Sequence, residues 1–316
     1  MAGERDPEVV TLGEGLIVLD PDTAGPLRSV AGFVRHFGGA EVNVAVALAR
    51  LGHRSAWAGG LGDDELGNAI LAFLRGERVD VKGARLDPEA PTGLYIKERR
   101  ALDRLQVHYY RAGSAASRLR YDDLDVDRLL RARVLHLTGI TPVLSDAGAD
   151  LTERLTAAAV ERGVTLSFDA NVRWRLLGER DPRALLCGLL ERADLVFCSD
   201  EEAELLLGTR DVGELAALGR DQTVVVHSDH GAFAVEPSGV TQARGHDVRA
   251  VDTVGAGDAF VAGFLSGRLR GWDTAGCLAL ANACGACAVT VPGDAESMPD
   301  EAEALSLLSG ERARER

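Results

Sequence analysis

The chain has 316 residues, with Lys+Arg 35 against Asp+Glu 49, a formal net charge of -14 and a pI near 5.0. That surplus excludes nucleic acid and anionic membrane as partners, because a protein that repels phosphate overall gains nothing from counterion release or surface attraction. With 46% hydrophobic residues, 36 Gly and only 10 Pro, the composition fits a globular enzyme and disfavours disorder, collagen-like repeats or a coiled coil. The acidic N-terminus precedes a short apolar run and does not read as a secretory signal, and no stretch reaches the ~18 apolar residues of a membrane helix. Cysteines at 187, 198, 277, 284 and 287 lack secreted-domain spacing and indicate free thiols in the cytoplasm. Cys284-Gly-Ala-Cys287 has C-x-x-C spacing, but it has no second pair and no nearby His, so it reads as tight helix packing.

In chain order, apolar runs alternate with helical patterns, which predicts an α/β fold with a mainly parallel sheet. The first strand is read over Val9–Leu19, a helix over 40–51 closed by Gly52, and a short strand over 55–59. Further strands are read at Val134–Leu137, Val164–Asp169, Leu195–Cys198 and Thr223–His227, with helices near 146–162, 182–192, 200–207 and 211–219 between them. The last third is helical over 256–270, 273–291 and 299–309. Leu27–Phe37 and Thr92–Arg111 break the rhythm: they alternate aromatic or β-branched residues without helices between them. They read as antiparallel strands that pair with each other into a small lid sheet, spanning about 21–37 and 91–113 of one domain over 1–316.

The strongest chemical signal is Asp252-Thr253-Val254-Gly255-Ala256-Gly257-Asp258. A Gly-Ala-Gly turn entering a helix aims several amides and the positive end of a helix dipole at one point, a nest for an anion. An Asp beside such a nest repels the anion unless it takes a proton from an attacking hydroxyl, a combination suited to phosphoryl transfer to an alcohol. The second signal is Gly38-Gly39-Ala40-Glu41-Val42-Asn43, where Gly38 and Gly39 let backbone approach a ligand and Asn43 on the first turn can hydrogen-bond it. No P-loop and no dinucleotide fingerprint is present.

Together these segments, their order and their spacing resemble the two signatures of the ribokinase-like (PfkB) carbohydrate kinases. The resemblance implies a three-layer α/β/α core with a small β-sheet lid, ATP and Mg²⁺ as cofactors, and K⁺ as an optional one. It makes Asp258 the catalytic base and the amides of Gly255, Ala256 and Gly257 the hole for the transferred phosphoryl group. Ser167-Phe-Asp169-Ala-Asn171-Val-Arg173 looks like a family segment that puts Asn171 near the γ-phosphate. Cys198-Ser199-Asp200-Glu201-Glu202 looks like another, with Ser199 at an Asn position and Glu202 organising hydrated Mg²⁺. Asn282 falls near the adenine by resemblance. Carbonyls around 288–293 and 252–254, with Asp252 and Ser297, would form a monovalent-cation loop. In Val225-Val226-His227-Ser228-Asp229-His230-Gly231 the family's first Gly is replaced by Ser228 and its Lys or Thr by Val226, so Ser228 and Gly231 cover the nucleotide with an added Cβ.

Gly13-Glu14, Phe37–Glu41 and Val107–Ser117 are most similar to the 2-keto-3-deoxygluconate kinases of the family. That branch implies a sugar-acid substrate, with Arg111 and Arg173 as its carboxylate partners and Tyr95 and Tyr109 as hydroxyl donors and apolar faces. The alternatives are a kinase for a neutral sugar of fructose or ribose type, and a non-catalytic member that binds sugar or nucleotide. Lid-to-lid homo-oligomers are common in the family, and Val30, Phe33 and Ile96 would form the apolar patch for one.

Overall fold

The computed structural model describes residues 5–100 and 105–310; the stretch 101–104 of the expected lid and both chain ends lie outside it. Its strands are β1 (Val9–Leu12), β2 (Leu16–Pro21), β3 (Phe33–Gly38), β4 (Ser55–Gly62), β5 (Asp80–Asp87), β6 (Leu94–Arg99) and β7 (Leu105–Tyr110), followed by β8 (Val134–Thr138), β9 (Thr165–Asp169), β10 (Leu195–Ser199), β11 (Thr223–Ser228), β12 (Gly231–Glu236) and β13 (Gly239–Arg244). The large sheet has the order β13-β12-β11-β10-β9-β8-β1-β4-β5. It is parallel from β11 across to β5, and the β12–β13 hairpin closes one edge in antiparallel sense.

The sheet is buried on both faces, and the strand residues show why. Val9, Phe197 and Val225 pack into one apolar cluster with the helices 40–50, 65–76, 256–269 and 274–288. Val10, Leu12, Val196 and Val224 pack into the other, with the helices 146–161, 182–192 and 200–207. Strands sandwiched this way need apolar residues at consecutive positions, which is the pattern the sequence carries. Helices 256–269 and 274–288 touch closely because Gly263 and Gly267 leave room. A Cβ on Gly263 would lie 2.8 Å from Ala281 Cα, and one on Gly267 would lie 2.8 Å from Cys277 Sγ. Cys284 belongs to this packing and Cys287 lies half-buried on the same helix; burial pushes their thiols up to about 12 and about 11, so neither is a ready nucleophile.

Three expectations change. The first strand is two: it bends at Gly13-Glu14-Gly15, so β1 joins the large sheet and β2 the small one. The bend requires Gly13, where a Cβ would fall 2.0 Å from the Glu41 carboxyl carbon. The inserted segments do not pair with each other, because β2 lies between them in the order β3-β2-β6-β7, with β2 and β6 parallel. Residues 27–29 form a 3-10 turn instead of a strand. The helix 65–76, β5 and the β12–β13 hairpin were not foreseen. Among the described residues no helix is long and apolar enough to cross a membrane.

Candidate active site

Helix 256–269 starts from Gly255, which has a φ of +83°, a conformation that favours glycine. Of the amides of its first turn, that of Ala256 donates to Thr253 O at 3.4 Å, while those of Gly257 and Asp258 have no acceptor within the helix. Asp258 lies on that turn and is almost wholly buried. Burial first, then the charges of Asp294 and Glu41, push its carboxyl up to about 7, against the hydrogen bond of Asn43 and the charge of Arg173. Asn43, on the first turn of helix 40–50, donates from Nδ2 to Asp258 Oδ2 at 2.7 Å and to Asp294 Oδ1 at 2.6 Å. Its Oδ1 is buried without a partner among the described residues, an acceptor left over for a substrate hydroxyl.

Two cavities flank this turn. One, of about 100 Å³, is lined by Glu14, Asn43, Tyr109, Arg111, Arg173 and Asp258 among others. The second, of about 460 Å³, lies along β11–β13 and includes Val226, His227, Ser228, Gly231 and Arg244. His227, which lines the second, comes near the nest: its Cε1 lies 3.8 Å from the position a Cβ on Gly257 would take. Gly231 is required there: its φ is +133° and a Cβ would sit 2.4 Å from the Ala243 carbonyl oxygen. Ser228 is exposed at the rim and donates to Gly231 O at 3.3 Å, so its Cβ does not fill the groove. Asn282 spends its amide on the carbonyls of Ala243 and Arg244, which line the groove in its place.

Of the expected site residues, Gly39, Asn43, Tyr95, Tyr109, Arg111, Arg173, Gly255 and Asp258 line the smaller cavity and Ser228 and Gly231 the larger, whereas Asn171, Ser199, Glu202 and Asn282 line neither. Gly38 and Gly39 serve protein groups: a Cβ on Gly38 would fall 2.0 Å from Asp294 Oδ2, and one on Gly39 2.1 Å from Glu14 O. Arg111 is not a loose cation, because its guanidinium pairs with the buried Glu14 and stacks over the Tyr109 ring at 5.3 Å. Tyr95 donates its hydroxyl to Asp294 Oδ2 at 2.6 Å. The carbonyl of Arg173 accepts from Leu176 N at 2.8 Å and Leu177 N at 3.2 Å, whereas its guanidinium makes no hydrogen bond or ion pair among the described residues; the residue lines the smaller cavity. Asn171 has a φ of 38°, unusual outside glycine, and donates to Asp169 Oδ2 at 3.2 Å. Glu202 accepts from Val172 N at 2.6 Å and Ser199 N at 2.8 Å, in a capping box with Ser199.

Glu14, Glu41, Asp169 and Asp294 had been given no role. Each sits among glycines or at a strand end, but apart from Asp169, which Asn171 bonds, their partners lie far away in sequence: Thr138 donates to Glu41 Oε1 at 2.6 Å and Ser114 to Glu14 Oε1 at 2.6 Å. Asp169 is pushed well above the usual carboxylate range by burial and then by the charges of Glu202 and Asp258. Such crowding of negative charge suits a divalent cation. Among the described residues no three His, Cys, Asp or Glu side chains form a metal cage.

A buried carboxylate that shares one cavity with a guanidinium and stands against free helix amides on its other side can strip a proton from a hydroxyl beside anionic oxygens. That is the equipment of a kinase for small alcohols. The family model described as pfkB family carbohydrate kinase matches residues 6–301, and the chain belongs to that family. It is 37% identical over 309 residues to the 2-dehydro-3-deoxygluconokinase of Thermoproteus tenax, covering 95% of this chain and 94% of the relative. It is 35% identical over 324 residues to fructokinase-1 of Oryza sativa subsp. japonica, covering 98% and 99%. A solved Escherichia coli chain designated ribokinase II, in complex with ATP and Mg²⁺, superposes with a TM-score of 0.88 at 25% identity, covering 96% and 99%. The protein is therefore a sugar kinase of ribokinase-like fold, and the non-catalytic alternative falls.

Proposed function

We propose that the chain transfers the γ-phosphoryl group of ATP to a hydroxyl of 2-keto-3-deoxygluconate, giving the 6-phosphate. The observation that carries the sugar-acid reading is Arg173: an exposed residue whose guanidinium is uncommitted, at a cavity where the carboxylates of Glu14, Glu41, Asp258 and Asp294 face one further cation, Arg111, already paired with Glu14. A substrate carboxylate would neutralise it in bidentate fashion. Asp258 accepts the hydroxyl proton while the hydroxyl oxygen forms its bond to the γ-phosphorus, and the bond to the β-phosphate oxygen breaks to release ADP. The amides of Gly255, Ala256 and Gly257 hold the equatorial oxygens in flight. Mg²⁺, placed by Glu202 and Asp169, would neutralise the β and γ oxygens.

A cavity of about 100 Å³ is small beside the ~300–1,000 Å³ of ordinary ligand sites. The small sheet therefore acts as a lid that swings outward to admit the sugar and closes to exclude water. The neutral-sugar reading keeps one supporting observation, the commitment of Arg111 to Glu14, which leaves one guanidinium where two were expected. A coupled ADP-release assay over sugar acids and neutral sugars, repeated with Arg173→Ala, separates the two. For 2-keto-3-deoxygluconate the variant should raise KM at least tenfold; fructose turnover above sugar-acid turnover, unchanged by the variant, would establish the neutral-sugar reading.

A further inference from the structure

Lysine is confined to two positions, Lys82 and Lys97, in a chain with Lys+Arg 35. Lys97, on β6, is fully buried. Its Nζ donates to Asp252 Oδ2 at 2.8 Å and to the Gly293 carbonyl at 2.7 Å, with Asp20 Oδ2 at 3.9 Å. Arg99, two residues along the same strand, donates from Nη2 to Asp252 Oδ2 at 2.8 Å and to Asp20 Oδ2 at 2.7 Å. Burial pushes the Asp252 carboxyl up, but the bond and charge of Lys97, with Arg99 behind it, hold it below its usual value.

These contacts fall on the loops where the sequence pointed to a monovalent cation, at Asp252 and the carbonyls near 293. The donor set does not fit a loose ion, because the oxygens it needs already hold an ammonium of similar size and equal charge. Both loops bear on the catalytic turn. Asp252 Oδ1 accepts from Val254 N at 3.2 Å, one residue before Gly255, and Gly293 precedes the Asp294 that shares Asn43 with Asp258. A buried ammonium without these partners would be costly, so its presence marks a built electrostatic clasp.

We infer that Lys97 is a tethered monovalent cation, a positioning residue that fixes the 252–255 and 293–294 loops around the nest and frees the enzyme from K⁺. The inference rests on the kinase reading only for its activity arm. Turnover of the unmodified enzyme should change less than twofold when KCl is replaced by NaCl or choline chloride at constant ionic strength, and its Tm should show no K⁺-specific rise. Lys97→Met should lose at least 100-fold in kcat in choline chloride and regain tenfold or more with KCl or NH₄Cl. That variant's Tm should rise saturably with K⁺. More than tenfold activation of the unmodified enzyme by K⁺, or a folded Lys97→Met with full turnover in choline chloride, overturns the inference. If the variant does not fold, the salt series on the unmodified protein still decides. The Tm arm reads cation capture without any substrate, so failure to find a phosphorylated sugar would count against the proposed substrate and leave the clasp standing or fallen on its own evidence.

Discussion

In the proposed mechanism Asp258 works under two opposing demands, ionisation for catalysis and burial for positioning. Its carboxyl, raised from 3.8 to about 7, is a base only when ionised, so kcat/KM should fall about tenfold per pH unit below about 7 and level off above it. Glu41 is also pushed up to about 7 by burial despite the Thr138 hydrogen bond, so this limb must survive in Glu41→Gln for the assignment to stand. Between 3.8 and about 7 the folded chain holds a proton on Asp258 that the unfolded chain has released. The folded state's advantage from this group therefore declines as pH rises through that window. Asp258→Asn should lower kcat by ~10²–10⁴-fold while its Tm exceeds the parent's at pH 8 and approaches it near pH 4. Coupled ADP release and thermal unfolding measure the two halves, and near-parental turnover would remove Asp258 from the role of base. At this scale the sequence was informative where chemistry is local: Asp258 and its nest lie within seven consecutive residues. Glu14, Glu41 and Asp294 stayed hidden because burial and partners 100, 97 and 199 residues away, at Ser114, Thr138 and Tyr95, make them part of the site.

At the scale of elements, strands that need continuous apolar residues were legible, as in Val134–Thr138 and Leu195–Ser199, because a sheet covered on both faces demands that pattern. The hairpin of β12 and β13 was not, since Gly239–Arg244 is an edge strand half in water, with no apolar run to announce it. The break between β1 and β2 was also missed, because apolar residues continue on either side of Gly13-Glu14-Gly15 and hydrophobicity alone does not mark the bend. The helices 256–269 and 182–192 offer a paired test of glycine. Gly263→Ala drives a Cβ into the Ala281 backbone and should cost about 1–3 kcal/mol. Gly188→Ala meets open space in an exposed helix interior and should gain about 0.5–1 kcal/mol. Urea midpoints with an unchanged m-value read both, and equal shifts in the two would refute the packing argument.

For the whole molecule, a net charge of -14 gives a far field that repels ATP and would repel the proposed sugar acid. Capture must rely on short-range groups: the helix amides, Arg173 and a divalent ion, acting within a few ångströms where the far field is irrelevant. Assembly is a second global property. Phe33 and Val34 on β3 are exposed at the edge of the small sheet, and Tyr110 at its opposite edge strand, while Val30 and Ile96 are half-buried. We expect a homodimer formed through this sheet, with a light-scattering mass twice 33.5 kDa that falls to the monomer value in Phe33→Glu; a monomeric parent would refute it. Finally, residues 9–21 thread both sheets, and this dictates how the chain can be made. β1 gains its second neighbour only when β8, starting at Val134, has been synthesised, and β2 waits for β6, starting at Leu94. The N-terminal third therefore leaves the ribosome with the β8-facing edge of β1 still unpaired, and nascent chains that stop short of Thr138 should be prone to aggregation.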